Sequence, residues 1–90
     1  MAPDGRIVVL TTERWAHIVD RHDEAERHRA LILDVVARPD LWHVVGSMNE
    51  EWFFRERAGP SVWLQVVVHF AEDRGIITTA FARRSLPKWL

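Results

Sequence analysis

The residues best suited to acid–base chemistry lie in one short segment, TTERWAHIVDRH, at positions 11–22. On a helix with about 3.6 residues per turn, Arg14, His17 and Arg21 lie on the side opposite Trp15, so their side chains can converge. An unperturbed histidine titrates near neutral pH, and an arginine can hold phosphate oxygens in a bidentate fork. The alternative is an ordinary solvated helix face, which the spacing alone does not exclude.

Motifs for other common catalytic centres are missing from the sequence. The four glycines are isolated, no histidine pair has the H-E-x-x-H spacing, there is no cysteine, and no serine stands in a nucleophile elbow. We therefore expect neither a metal nor a cofactor. The remaining histidine, arginine and hydroxyl groups can cleave RNA through its own 2′-hydroxyl, a reaction that needs a base, an acid and donors around the phosphorus.

Further candidate side chains lie at the end of this helix and on later strands. His22 falls on the apolar stripe, so a role in capping the helix junction competes with one in catalysis. Three other histidines are interpreted as packing or surface residues: His28, His43 and His69. Strand alternation puts Arg55 on one face with Phe53 and Arg57, opposite Trp52 and Phe54. It also puts Thr79 on one face with Phe81 and Arg83. Strand aromatics could stack on bases, although such residues more often belong to the core.

Length, composition and charge limit the class of protein. Ninety residues, 48% of them apolar and 28% charged, suit one soluble domain, for which we expect a core over about residues 6–84. The net charge of −1 argues against a protein that grips long nucleic acid through counterion release. Basic residues gather after position 51, which indicates either a small anion site or merely a charged surface. Without cysteines, a long apolar run or a leader pattern, a cytoplasmic location and no membrane contact are expected.

The apolar periodicity predicts an α+β fold. A short strand at 7–10 is followed by a helix capped by Thr11 that ends near His22, and by a second helix that begins at Glu24 and ends before Pro39. Four β-branched and aromatic segments with short connections then predict an antiparallel meander: Leu41–Val45, Trp52–Arg57, Val62–Phe70 and Ile76–Ala82. The expected architecture is two N-terminal helices on one face of a four- to five-stranded sheet.

The order of five segments resembles a bacterial family of phage- and toxin-associated domains of the barnase, EndoU, colicin and RelE-like nuclease fold. The segments are LTTERWAHIVDRH, ILDVVARPDLW, EEWFFRER, VWLQVVVHF and GIITTAFARR, and together they cover about residues 6–84. The resemblance implies a metal-independent ribonuclease of toxin or effector type. It also implies RNA, tRNA included, as substrate, and an antitoxin or immunity protein as partner.

Carried over by motif, the resemblance implies catalytic roles for His17, Arg21, Arg55 and Thr79. It implies substrate contacts from four further residues: His22, Arg57, Phe81 and Arg83. This sequence departs from the family in two ways. RHDEAER stands where a proline often follows RH, and Phe81 stands where a tyrosine, whose hydroxyl can donate to phosphate, is common.

Two hypotheses therefore stand side by side. The first is a small ribonuclease, with His17 as acid or base, Arg21 and Arg55 neutralising phosphate, and Thr79 donating a hydrogen bond. The second is a non-catalytic domain of the same fold that binds a protein or a nucleic acid, which the near-neutral charge and Phe81 favour.

Overall fold

A computed structural model of the protein describes residues 1–21, 29–45, 49–57, 61–72 and 74–88. These residues form an α+β fold with two helices and five strands. The elements in chain order are β1 (Ile7–Val9), α1 (Thr12–Arg21), α2 (Arg29–Ala37), β2 (Leu41–Val45), β3 (Glu50–Glu56), β4 (Trp63–Ala71) and β5 (Arg74–Arg83). The predicted start of the second helix at Glu24 lies outside the described residues.

The helix ends follow local chemistry. The Thr11 hydroxyl accepts a hydrogen bond from the Arg14 amide at 3.1 Å, as a residue at the N-cap position does. This confirms the predicted start of α1. Helix α2 ends at Ala37, two residues before Pro39, as the restriction on residues preceding proline requires.

The five strands form one sheet in the order β1-β5-β4-β3-β2. Strands β2 to β5 pair with antiparallel neighbours, which confirms the predicted meander, and β1 pairs with β5 in parallel. The two helices connect β1 at one edge to β2 at the other, so the meander returns towards β1 and its last strand runs in the same direction.

One face of the sheet, which we call the core face, carries the main apolar cluster. Fully buried side chains of both helices and of the sheet lie in this cluster: Ile18, Ile32, Val35, Val36, Phe53, Val66, Val68, Ile77 and Ala80. Gly75 belongs to the same face, and a Cβ at this position would lie 2.7 Å from both Phe70 and Val68 side-chain atoms. A larger residue at this position would therefore require the Phe70 and Val68 side chains to move.

A buried carboxylate ties the N-terminal segment to the sheet. Glu51 on the core face is only 6% exposed, and both of its oxygens accept hydrogen bonds from Arg6 at 2.7 Å. Trp42 Nε1 donates to the same carboxylate, and the Arg6 guanidinium carbon lies 3.8 Å from the centre of the Phe70 ring. The Glu51 carboxylate raises the pKa of Arg6 above its ordinary value. The two parallel hydrogen bonds from Arg6 to Glu51 therefore act as a structural clamp between the N-terminal segment and the sheet.

Candidate functional site

The opposite side of the sheet, which we call the distal face, presents Thr79, Phe81 and Arg83 together. Register pairs these residues of β5 with Val67, Gln65 and Trp63 of β4. Paired residues of neighbouring strands point to the same face, and the core-face residues of β4 are Leu64, Val66, Val68 and Phe70. The shared face predicted for Thr79, Phe81 and Arg83 is therefore observed.

A β-bulge controls which residues of β5 reach the distal face. Ile77 pairs with Val68 and Thr79 pairs with Val67, so one extra residue, Thr78, is inserted into β5. In a regular strand Ile77 and Thr79 would share a face, but the bulge separates them. Consequently Ala80 and Ala82 turn towards the core face, and the larger side chains that alternate with them turn away from it.

Helix α1 contacts this bulge through Arg14. Its Nη2 donates to the Thr78 carbonyl at 2.5 Å, while its Nε is buried without a hydrogen-bond partner among the described residues. The Thr78 hydroxyl donates to the Val67 carbonyl at 3.3 Å, across the same irregularity. The prediction that Arg14 converges with His17 on an outward polar face is therefore wrong: Arg14 is adjacent on the helical wheel to Ile18, which is fully buried, and points to the sheet.

Arg83 is held in place on the distal face. Its Nη1 donates to Gln65 Oε1 at 2.7 Å, and its Nε donates to the Ser85 carbonyl. Gln65 is only 2% exposed, and the residues on either side of it in β4, Leu64 and Val66, are apolar. Because a buried amide without a partner is costly, this hydrogen bond fixes both side chains.

Arg55 lies on the core face, where its guanidinium binds the C-terminal end of α2. It pairs with Leu64 in the register, which places it on the core face. Its Nη1 donates to Asp34 Oδ2 at 2.7 Å, and Nη2 donates to the Asp34 carbonyl at 2.8 Å and to the Arg38 carbonyl. The Asp34 carbonyl also accepts a hydrogen bond from the Arg38 amide at 2.8 Å, and a cation at this end of a helix is favoured. Hydrogen bonds from Arg55 and then Arg38 lower the pKa of Asp34.

Of the residues with predicted catalytic roles whose side chains the structure describes, Arg55 and Thr79 are not brought together. Thr79 and Arg55 point to opposite faces because their register partners, Val67 and Leu64, differ in parity along β4. His17 is exposed on α1, and Arg57 is exposed just after β3, where its amide donates to the Val62 carbonyl. The side chain of Arg21 and the whole of His22 lie outside the described residues.

Sequence reasoning missed His69 as a candidate for this site. It is exposed on the distal face, directly opposite Glu50 of β3 in the register. It is also a diagonal neighbour of Thr79, because it lies two residues along β4 from Val67, the register partner of Thr79, with the β5 bulge between the two pairs. Alternation in VWLQVVVHF already turns His69 away from the core residues. The pairing with β5, which brings it near Thr79, depends on a bulge that alternation does not reveal.

Aromatic side chains surround the centre of the distal face. Trp52 pairs with Val67 and His43 pairs with Trp52, so both share the face with Thr79. The His43 and Trp52 rings are 6.0 Å apart, and Trp52 meets Phe54 edge-on at 6.3 Å. Phe54 is fully buried, and the neighbouring Gln65 is nearly so. The centre of the distal face is thus buried, and the exposed His69 lies at its margin.

The described residues carry neither a concave pocket nor a cluster of three side chains that could hold a metal ion. Among the same residues, no helix is long and apolar enough to cross a membrane. No protein-family model, curated protein or solved structure significantly matches the chain.

Proposed function

We propose that the protein is a metal-independent ribonuclease of the barnase, EndoU, colicin and RelE-like type, acting on RNA bound along the distal face. One observation carries the proposal. An exposed histidine, His69, with the carboxylate-bearing Glu50 opposite, is a diagonal neighbour of Thr79 on a face that also carries Arg83. RNA cleavage by its 2′-hydroxyl requires a base, for which His69 is the candidate, a hydrogen-bond donor to the phosphate, for which Thr79 is the candidate, and an acid, a role that water can fill at an exposed site.

In the proposed reaction, His69 takes the proton of the RNA 2′-hydroxyl as the 2′ oxygen attacks the adjacent phosphorus. The bond from phosphorus to the 5′ oxygen breaks, and that oxygen takes a proton from water, which reaches this exposed surface. The products are a 2′,3′-cyclic phosphate and a 5′-hydroxyl. Thr79 donates a hydrogen bond to a non-bridging phosphate oxygen, and Glu50 orients the imidazole.

The proposed mechanism assigns no step to Arg55, because its guanidinium already binds Asp34 and two backbone carbonyls. His17 is a competing candidate for the base, since it is exposed on α1. The proposed context is a cytoplasmic toxin or effector acting on RNA such as tRNA. An antitoxin or immunity protein that covered the distal face would inhibit it.

The test is incubation of purified protein with total RNA and with tRNA in EDTA, using His69→Ala and His17→Ala beside the wild type. We expect cleavage products ending in cyclic phosphate, strongly reduced for His69→Ala and retained for His17→Ala. Loss only in His17→Ala would move the catalytic site to α1. No cleavage by the wild type would show that the ribonuclease proposal is wrong.

The second candidate is a non-catalytic binding domain for a nucleic acid or protein. The separation of Arg55 from Thr79 favours it, because two residues to which the motifs assign phosphate chemistry do not meet. Phe81, which lacks the phenolic hydroxyl of tyrosine, also favours it. RNA binding without cleavage in the same samples would support this candidate over the first.

A further inference from the structure

We propose that Arg83, Gln65 and Trp63 form a subsite for single-stranded RNA, in which Arg83 binds a backbone phosphate and the Trp63 indole stacks on the adjacent base. This inference deepens the proposed function, since it rests on RNA lying along the distal face. It does not require that the RNA be cleaved there.

The first support is the preorganised arginine. Arg83 uses Nε and one Nη1 hydrogen for the Ser85 carbonyl and Gln65, so three of its five N–H groups have no hydrogen-bond partner among the described residues and could bind a ligand. Fixing the planar guanidinium in advance reduces the ordering cost of phosphate binding. Gln65 serves this purpose at a position where its strand neighbours on the core face and its partner Phe54 are apolar.

The second support is charge. None of the ion pairs among the described residues involves Arg83. Two further cations, Arg84 and Lys88, are exposed just beyond it in the chain. Glu56 is the acidic residue of the same row, and it lies beyond Trp63 on the far side from Arg83. A polyanion is therefore expected to follow the β5 side of the sheet.

The third support is the neighbouring aromatic ring. Trp63 pairs directly with Arg83 in the register and is half-buried, so its side chain contributes surface beside the guanidinium. An indole next to an arginine gives a stacking platform and a phosphate contact, which is how sequence-tolerant single-strand binders work. Arg83 lies four residues from Thr79, roughly 13 Å along β5, so it would hold a nucleotide beside the cleaved one.

The test uses a fluorescent single-stranded oligonucleotide with 2′-O-methyl groups, which cannot be cleaved by 2′-hydroxyl attack. Binding is followed by anisotropy over a range of salt concentrations for wild type, Arg83→Gln, Trp63→Leu and the charge-matched control Arg29→Gln, whose site is exposed on α2. We expect Arg83→Gln and Trp63→Leu each to weaken binding about tenfold. Arg83→Gln should also reduce the salt slope by about 0.7, as the loss of one phosphate contact predicts.

Arg83→Gln also removes the hydrogen-bond partner of Gln65 and can destabilise the fold. The unfolding temperature of each variant is therefore measured first, and binding is measured below it. Three results would each overturn the subsite. These are no binding by the wild type, equal effects of Arg83→Gln and Arg29→Gln, and binding of a duplex or an acidic peptide as tight as that of the single strand. Cleavage of unmodified RNA is measured separately in the same samples. Binding that depends on Arg83, without cleavage, would support the subsite and reject the ribonuclease proposal. Cleavage together with binding that does not depend on Arg83 would support the ribonuclease proposal and reject the subsite.

Discussion

The guanidinium of Arg14 donates a hydrogen bond to the backbone carbonyl of Thr78, so α1 contacts the sheet at the residue that creates the β5 bulge. The extra residue breaks the regular alternation of β5 and turns Thr79 to the distal face. A residue of α1 thereby stabilises the backbone that presents the candidate site, although its own side chain lies on the core side.

Arg14→Met is expected to increase local opening of the backbone at the bulge, while the free energy of unfolding of the whole protein falls only modestly. The variant loses one hydrogen bond to a charged donor, but it also removes the buried Nε that has no partner among the described residues. The free energy of unfolding should therefore fall by about 1 kcal/mol, measured by urea titration. Amide hydrogen exchange at Thr79 and Ala80 should accelerate more than at Val66. Unchanged exchange there would show that Arg14 does not hold the bulge.

Asp34→Asn should lower thermal stability near neutral pH and make little difference in acid. Hydrogen bonds from Arg55 and Arg38 depress the pKa of Asp34, so its stabilising effect is present above the unfolded pKa of about 3.9. The effect is lost as the pH falls through the lower folded pKa, where the wild-type carboxylate becomes protonated. Thermal unfolding of both proteins from neutral pH into acid measures the difference. Asp20→Asn, at an exposed site on α1, is the matched control.

The difference between the wild type and Asp34→Asn should shrink on acidification, while Asp20→Asn should remain close to the wild type throughout. A difference that is constant over pH would show that the loss is due to packing and not to the charge of Asp34.

Much of the fold could be predicted from local patterns, as β2 and the start of α1 illustrate. Leu41–Val45 has the predicted bounds because turn residues and Pro39 flank an uninterrupted β-forming segment. The Thr11 cap is a local hydrogen bond that residue type alone indicates. The parallel pairing of β1 and the bulge at Thr78 depend instead on contacts distant in the chain, and no periodicity reports these contacts.

The candidate site was harder to predict for the same reason. Alternation correctly grouped Thr79 with Arg83, because these residues follow the bulge and keep a regular period. Alternation could not show whether Thr79 and Arg83 share a face with Arg55. That depends on the register of β3 with β4, on the register of β4 with β5 and on the extra residue in β5. Nor could alternation reveal that the Arg55 guanidinium already binds the Asp34 carboxylate. Helical spacing predicts that Arg14 and His17 lie close together on α1, but it does not show that Arg14 turns towards the sheet.

Arg6→Met should strongly destabilise the protein, because it leaves the carboxylate of Glu51 buried without its charged partner. Removing one member of a fully buried pair costs about 3–5 kcal/mol, and because Arg6 is partly exposed, solvent screening reduces the expected cost to about 2 kcal/mol. Asp4→Asn, which removes the exposed carboxylate bonded to the same arginine, should cost less than about 1 kcal/mol. Chemical denaturation measures both changes. Equal costs would show that Glu51 does not depend on the Arg6 fork.

Thr79→Val tests whether the hydroxyl on the distal face acts in the proposed cleavage. Valine keeps the shape and the β-propensity of threonine, so the fold should be retained within about 1 kcal/mol. Loss of a donor to the developing phosphate charge should reduce cleavage of tRNA about 100-fold, and Thr79→Ser should restore most of the rate. The rate constant at saturating RNA separates this effect from weaker binding. If valine and serine variants cleave equally fast, Thr79 contributes no hydrogen bond to the reaction, and the base at His69 would need another donor.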